Sequence, residues 1–551
     1  MIREKNTRRT QVNNYFPLHT NHLFLQKHLI LQKHFRTSIR YMLIAAMVML
    51  FFTTAHAQKR TQIQIIHADH YRFNAKFNKD IQQLIGHVKL KQDSTLFICD
   101  SAYLNDKIRN LDAFGHVHIN VNDTLNLYGD RLHYNGKKRI GELFGNVKLK
   151  DPRALLTTSH LVFNRFSGLA FYDVGGTIVS DSNVLKSQQG EYNTKTKIFY
   201  FKNNVVLTNP DQVTHADTLI YNTINKTAYF RGPTHIKGNH SVVKCVNGWY
   251  NTQTNKVALR ENPEISSSEQ QLWADSIHYN NHTGFGRAFG NIRVLDTLHN
   301  LLIKGHVAEL WNNQGVTFVT DSAVAITYDK EDSLFLHADT LWIHFNRKHQ
   351  AKKMLAYHSV RFYRADLQGK CDSLAYAVSD SIIRLYHSPV LWTGKNQLTA
   401  DSVFLVIHDN QMDSLTLFNT AFIISNDSMD NYNQIEGRNM VGYFHKNQLY
   451  QLKVDGNAQS IYWVRDEHKR LIGINKAESS YMTIGVKNNK IQTINYIEKA
   501  TETMYPEKDL PKPGRILKGF SWYETLRPTS KYDIFKKNSK PIKHQNSLQL
   551  P

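Results

Sequence analysis

The sequence predicts an all-β protein, an elongated jellyroll or solenoid-like array of two-strand repeats of about 30 residues each. Three observations predict it. An apolar phrase opened by Gly or Asn recurs as Gly86-His-Val-Lys-Leu90, Gly115-His-Val-His-Ile119, Gly145-Asn-Val-Lys-Leu149, Asn204-Val-Val-Leu207 and Gly290-Asn-Ile-Arg-Val294. A second phrase falls between these, as Tyr128-Gly-Asp-Arg-Leu-His-Tyr-Asn135, Ala216-Asp-Thr-Leu-Ile-Tyr-Asn222, Cys245-Val-Asn-Gly-Trp-Tyr-Asn251 and Ala274-Asp-Ser-Ile-His-Tyr-Asn280. Both phrases alternate apolar and polar residues with period two and favour Val, Ile, Tyr, Phe and Thr, the pattern of strands with one face buried.

Between the phrases lie turn segments such as Asn135-Gly136-Lys137-Lys138 and Asn280-Asn-His-Thr-Gly284, whose Gly and Asn accept the positive φ of tight turns. The second phrase returns in degenerate form at Ala338-Asp-Thr-Leu341, Cys371-Asp-Ser-Leu374 and Ala400-Asp-Ser-Val-Phe404. No stretch of the body carries a helical period. The Asp repeated within this phrase is expected to bond locally to backbone at a strand entrance, or to face solvent, because active sites are not copied along a chain. Cys99, Cys245 and Cys371 occupy the slot that is Ala216, Ala274, Ala338 or Ala400 elsewhere, so each is expected to be a small buried hydrophobe. Equivalent slots of distant repeats are tens of Å apart in a stacked array, too far for a disulfide, which needs Cα atoms within about 7 Å.

The chain has 551 residues, 41% of them hydrophobic and 11% aromatic, enough for a sizeable core. Its formal charge of +22 overstates the basicity of the body. Residues 1–57 carry an eleven-residue apolar run, Met42 to Phe52, behind Arg36 and Arg40 and ahead of Ala55-His56-Ala57. This is the pattern of an export signal cleaved near Ala57, and the run is too short for the ~20 residues of a membrane-spanning helix. Without residues 1–57 the charge falls to about +15, of which residues 506–551 supply about +6. An exported chain with spread charge and no stacking motif is not a nucleic-acid binder. The 28 histidines are dispersed, and His116-Val-His118 lacks a third ligand motif, so no metal and no cofactor are expected. Gly-x-Ser-x-Gly, His-Glu-x-x-His and phosphate-loop motifs are absent, and the acids follow repeat phase rather than converging, so the chain reads as a non-enzyme.

Taken together, Gly-Asn-Val-x-Leu followed by Ala-Asp-x-Leu-x-Tyr-Asn, repeated over about residues 61–505 and clearest from Ile65 to Val294, resembles the OstA-like family. That resemblance implies a β-jellyroll in the periplasm of a Gram-negative bacterium, with association with the outer membrane as an option. Its apolar groove would shield the acyl chains of lipopolysaccharide during outer-membrane assembly. The implied organisation is a leader and signal over 1–57, clear repeats over 58–300, degenerate repeats over 301–505 and a basic Pro/Lys-rich tail over 506–551.

On this reading Val88, Leu90, Val117, Ile119, Val147, Leu149, Val205, Leu207, Ile292 and Val294 are groove candidates, and Lys89, Lys148 and Arg293 candidates for the phosphates of the head group. If the two sheets close fully, the apolar positions are ordinary core. The partners implied are lipopolysaccharide, through its lipid A acyl chains, and the jellyrolls of inner- and outer-membrane transport machinery, met by pairing of edge strands. The chain departs from the family's small soluble members in its length and leaves no room for the large barrel of the outer-membrane member. A structural or adhesive surface repeat is the main rival reading, and a β-helix enzyme acting on polysaccharide a weaker one. The tail is expected to be disordered or draped over the surface; the alternative is a docking segment, Trp522 and Phe535 being odd residues to leave in water.

Overall fold

The computed structural model describes residues 62–536, apart from 74–79, 329–332, 348–349, 409–410, 429–430 and 488–489. The chain divides into Met1–Gln62 and Ile63–Pro551, and everything below concerns the second unit. The expected leader, export signal and cleavage site lie outside the described residues. Those residues form 36 antiparallel strands in one continuous hydrogen-bonded sheet, with five short 3-10 turns. This is the all-β repeat array that the alternation predicts.

The sheet is folded along its length. Ile81–Gln92 pairs with Thr95–Asn105 in two stretches, 81–85 against 101–105 and 88–92 against 95–99, with the register broken between them. The same break recurs between Phe114 and Val117, Phe144 and Val147, and Phe289 and Ile292. At each break two residues face one on the partner strand, and the extra residue bulges the strand and turns it. Half of each strand therefore lies in a first leaf (81–85, 101–105, 110–114 and onward) and half in a second (88–92, 95–99, 117–121 and onward). The corner residues explain the first sequence phrase. Gly115 and His116 have φ of 73° and 40°, and Gly290 and Asn291 have 70° and 44°. Gly suits the left-handed region, and Asn and His are the side chains that enter it most readily. The Gly-His and Gly-Asn pairs thus mark the seam between the leaves, not ordinary hairpin turns.

The second phrase ends on the Asn of the first leaf's hairpins. Asn164 Oδ1 accepts from the backbone N–H of Phe166 and Ser167, at 2.9 and 3.0 Å. Asn193, Asn222, Asn251 and Asn280 repeat the arrangement. Successive turns are also stitched together, with Thr194 N–H donating to Gly168 O, Thr223 to Lys197 O and Thr252 to Lys226 O. Asn recurs because its short amide satisfies the two donors that each turn leaves free.

The inward residues of both leaves form the core. One buried cluster runs from Ile63 to Ile292 and a second from Ile303 to Ile484. Two further clusters lie on the outer face of the second leaf, where residues 506–536 run back along the array as a strap. Leu510 and Leu517 pack on Phe422, Ile424, Ile461, Trp463 and Ile474, and Ile534 on Val324 and Ile326. The tail is therefore docked on its own chain, with Trp522 against Tyr432 at 5.2 Å between ring centres. Residues 537–551 lie outside the described residues.

Candidate functional site: the enclosed apolar interior

The space between the leaves is built from equivalent positions of successive repeats. Of the ten groove candidates, Val88, Leu90, Val117, Ile119, Val147, Leu149, Val205, Leu207 and Ile292 are at most 4% exposed and belong to one cluster, with Val294 half-buried against it. The structure thus brings the ten together as one packed apolar interior, in its closed form. Aromatic rings extend it, with Tyr192, Phe199 and Phe201 stacked in sequence at 3.9 and 5.5 Å. Burial pushes the Tyr172 phenol up to about 12, while its hydroxyl shares a 2.7 Å hydrogen bond with Ser187 Oγ. The cysteines sit at the edge of this interior as separate buried thiols, and burial pushes Cys99 and Cys371 up to about 12 and Cys245 to about 11.

Lys89, Lys148 and Arg293 are exposed on the opposite face of the second leaf, since neighbours in a strand point to opposite sides. One lipid cannot put its chains against Leu90 and its phosphate on Lys89 without passing through the sheet. The three cations therefore do not belong to the interior site.

The recurring Asp faces solvent, the second of the two expected placements, and its hydrogen bonds run to the corner side chain of the next strand rather than to local backbone. Asp69 meets His87 at 2.7 Å, Asp100 His116 at 2.8 Å, and Asp130 Asn146 at 2.9 Å. The His87 hydrogen bond holds the Asp69 carboxyl below its ordinary value.

Sequence reasoning missed what closes the interior. Opposite the seam, hairpins of the second leaf meet hairpins of the first through side chains. Asp93 pairs with Arg139 and Arg165, Asp151 with Lys197, and Asp181 with Lys226. Tyr134 Oη also donates to Gln92 Oε1 at 2.6 Å. A signal for this latch exists in the sequence, as Asp in one set of turns and Lys or Arg 46 or 45 residues later in the other. Among the described residues no group of three His, Cys, Asp or Glu could hold a metal, and no helix is long and apolar enough to cross a membrane.

Two leaves hinged along a bulged seam and latched by side chains around one apolar interior define a binding or scaffolding protein of repeat type. Residues 60–217 and 203–275 match the family model described as OstA-like protein, so the first part of the described array is similar to that family. A solved structure similar to it is that of LptH from Pseudomonas aeruginosa, described as the LptA-homologous periplasmic component of a conserved lipopolysaccharide transport device. It shares 13% identity, covers 26% of this chain and 99% of its own, and gives a TM-score of 0.21. No curated protein matches the chain.

Proposed function

We propose that this chain is a periplasmic lipopolysaccharide-binding protein that shelters acyl chains between its leaves on their way to the outer membrane. The observation that carries the reading is the asymmetry of the two sides of the interior. The seam is covalent and continuous, whereas the opposite side is held by ion pairs and side-chain hydrogen bonds. The leaves can part there without breaking the ladders along either leaf. An exposed pair such as Asp181–Lys226 contributes about 0–1 kcal/mol and the buried Asp151–Lys197 pair about 2–3 kcal/mol, whereas each acyl CH₂ moved out of water returns about 0.8 kcal/mol, so an acyl chain of about a dozen carbons offsets the loss of these pairs. The repetition of Val88, Val117 and Val147 offers equivalent stations, which favours passage over trapping. The similarity of residues 60–275 to the OstA-like family suggests the substrate class. Pairing of the terminal strands with jellyrolls of neighbouring transport components completes the proposal.

A second reading, a scaffold whose interior never opens, is favoured by the near-complete burial of the candidates. The two are separated by tethering the latch. In D93C/R139C/D181C/K226C protein bridged by a short bismaleimide, binding of fluorescently labelled lipopolysaccharide should fall at least tenfold against the unbridged protein. Equal binding with and without the bridge, or none in either, contradicts the proposal.

A further inference from the structure

The outer face of the second leaf carries a row of cations along one register. Cross-strand pairing leads without a break from Lys89 through Ile98, His118 and Tyr128 to Lys148, and through Thr157 and Thr177 to Lys186. It continues through Val206, His215 and His235 to Lys244, and through Glu264 and Trp273 to Arg293 and Lys304. At ~4.8 Å per strand the row is on the order of 80 Å long. Lys91, Lys150 and Lys237 lie two residues away toward the hairpin side, and the corner carboxylates Asp100, Asp130, Asp217 and Asp275 two residues away toward the seam, where Asp100, Asp130 and Asp275 are engaged by corner side chains. The acid within the row itself, Glu264, is 3.3 Å from Lys244, and among the described residues that is the row's one ion pair. The outer face of the first leaf is different. One of its registers mixes signs, with Asp112 on His133 and Glu309 on Arg287, and a shorter one runs from Lys202 through Thr218, Arg231 and Asn247 to Arg260. The row of the second leaf is the longer of the two cation runs.

Like charges one or two Debye lengths apart repel weakly but additively, and a row in which Lys244 alone of six cations has an ion-pair partner among the described residues favours a counter-charge of matching form. The form is linear. A planar bilayer meets only part of a face whose strands rotate by roughly 20° at each step, whereas a flexible chain follows it. The row also ends in a fitting way. Beyond Lys304 the strap covers the leaf, and beside the strap's last residues a cleft of about 810 Å³ is lined by Trp273, Asp275, Arg293, Lys304, Phe335 and the strap's own Lys531. Arg293 lies over the Trp273 ring at 5.0 Å and Lys531 over Phe335 at 5.6 Å, leaving cations braced by aromatic faces at the end of the row.

We infer that this face, from Lys89 to Lys304, binds an extended polyanion, a glycan-type chain bearing phosphates or carboxylates, and that the cleft under the strap seats one end of it. The inference stands apart from the interior site, because the row faces away from it.

The test is fluorescence anisotropy of full-length protein with labelled linear polyphosphate at low salt. K89Q/K148Q/K186Q/K304Q removes four charges from the row. K202Q/R231Q/K256Q/R260Q removes four from the outer face of the first leaf, so bulk charge is matched. Polyphosphate affinity should fall at least tenfold in the first variant and less than twofold in the second, with thermal unfolding of both like that of the parent. Equal losses in the two variants, no loss in the first, or no binding by the parent overturns the inference. Row-dependent binding to phosphatidylglycerol vesicles without polyphosphate binding also overturns it, and makes the face a membrane surface. Labelled lipopolysaccharide binding to the tethered-latch protein reports on the interior alone, so either proposal can fail without the other.

Discussion

The Asp100 carboxylate lies 2.8 Å from Nδ1 of His116 and fills the space where a Cβ of Gly115 would stand. The same three-residue arrangement joins Asp69 to Gly86-His87, Asp130 to Gly145-Asn146 and Asp275 to Gly290-Asn291. Each corner turns one strand between the leaves, and the carboxylate of the preceding strand locks it from outside. The repeat is thus a unit of corner and hairpin as much as of strands.

That geometry makes Gly115 and Asp100 energetically coupled. G115A meets both a φ of 73° and the Asp100 carboxylate, and should cost about 1–2 kcal/mol by denaturant unfolding. D100A removes the obstruction, so the double variant should be more stable than the sum of the two losses by at least about 0.5 kcal/mol. Simple additivity would show that the carboxylate does not crowd the corner.

The corner also titrates. The hydrogen bond from Asp100, helped by its charge, raises the His116 imidazolium above the ordinary value of 6.5. The sign follows from a raised folded value: the stabilisation is complete below 6.5 and is lost as pH rises through the folded midpoint. NMR titration should place the His116 midpoint above 6.5 in the parent and return it toward 6.5 in D100N. Identical midpoints in the two proteins contradict the contact.

The latch pairs differ in burial and should differ in value. The Asp151 side chain is 2% exposed and Asp181 63% exposed. K197M leaves a buried carboxylate short of its partner and should cost about 2–3 kcal/mol, whereas K226M should cost less than about 1 kcal/mol. Unfolding midpoints of the two variants decide it, and equal losses would mean that Asp151 finds water when Lys197 is removed.

The strap is held by amides that imitate a strand. Gln434 donates to Arg515 O at 2.9 Å and accepts from Leu517 N–H at 2.9 Å, and Gln397 does the same with Ser521 and Tyr523 at 2.7 Å. Q434A should weaken docking by about 1–3 kcal/mol, read as faster proteolysis within 506–536 while the array stays resistant. Unchanged cleavage would mean that Leu510 and Leu517 hold the strap alone.

How much of this is legible in the sequence depends on whether a signal is local. The strands, the inward set from Val88 to Ile292 and the Ala/Cys slots follow from period-two alternation. Gly115-His116 was legible only as the opening of an apolar phrase; the positive φ that both residues adopt marks a strand bulge, and the folding of the sheet into leaves was not legible. The outward placement of Asp100 was legible, but its partner was not, being 16 residues away on another strand. The latch was hidden by separations of 45 residues or more. The phrases decay beyond residue 300 for a physical reason. There the strap covers the second leaf, so outward positions such as Val324, Trp392 and Phe422 become apolar and the polar beat disappears. The strands also lengthen, to 18 residues in Gln411–Ser428.

The central claim is that the interior opens to acyl chains. A photoreactive amino acid placed at Leu90, Ile119 or Leu149 in cells, against Lys89 and Lys148 as outward neighbours, tests it most directly. Lipopolysaccharide adducts at the three apolar positions, with few or none at the two lysines, are the predicted result. Adducts absent from all three in a folded, exported protein would contradict the account and leave a closed core in a scaffold.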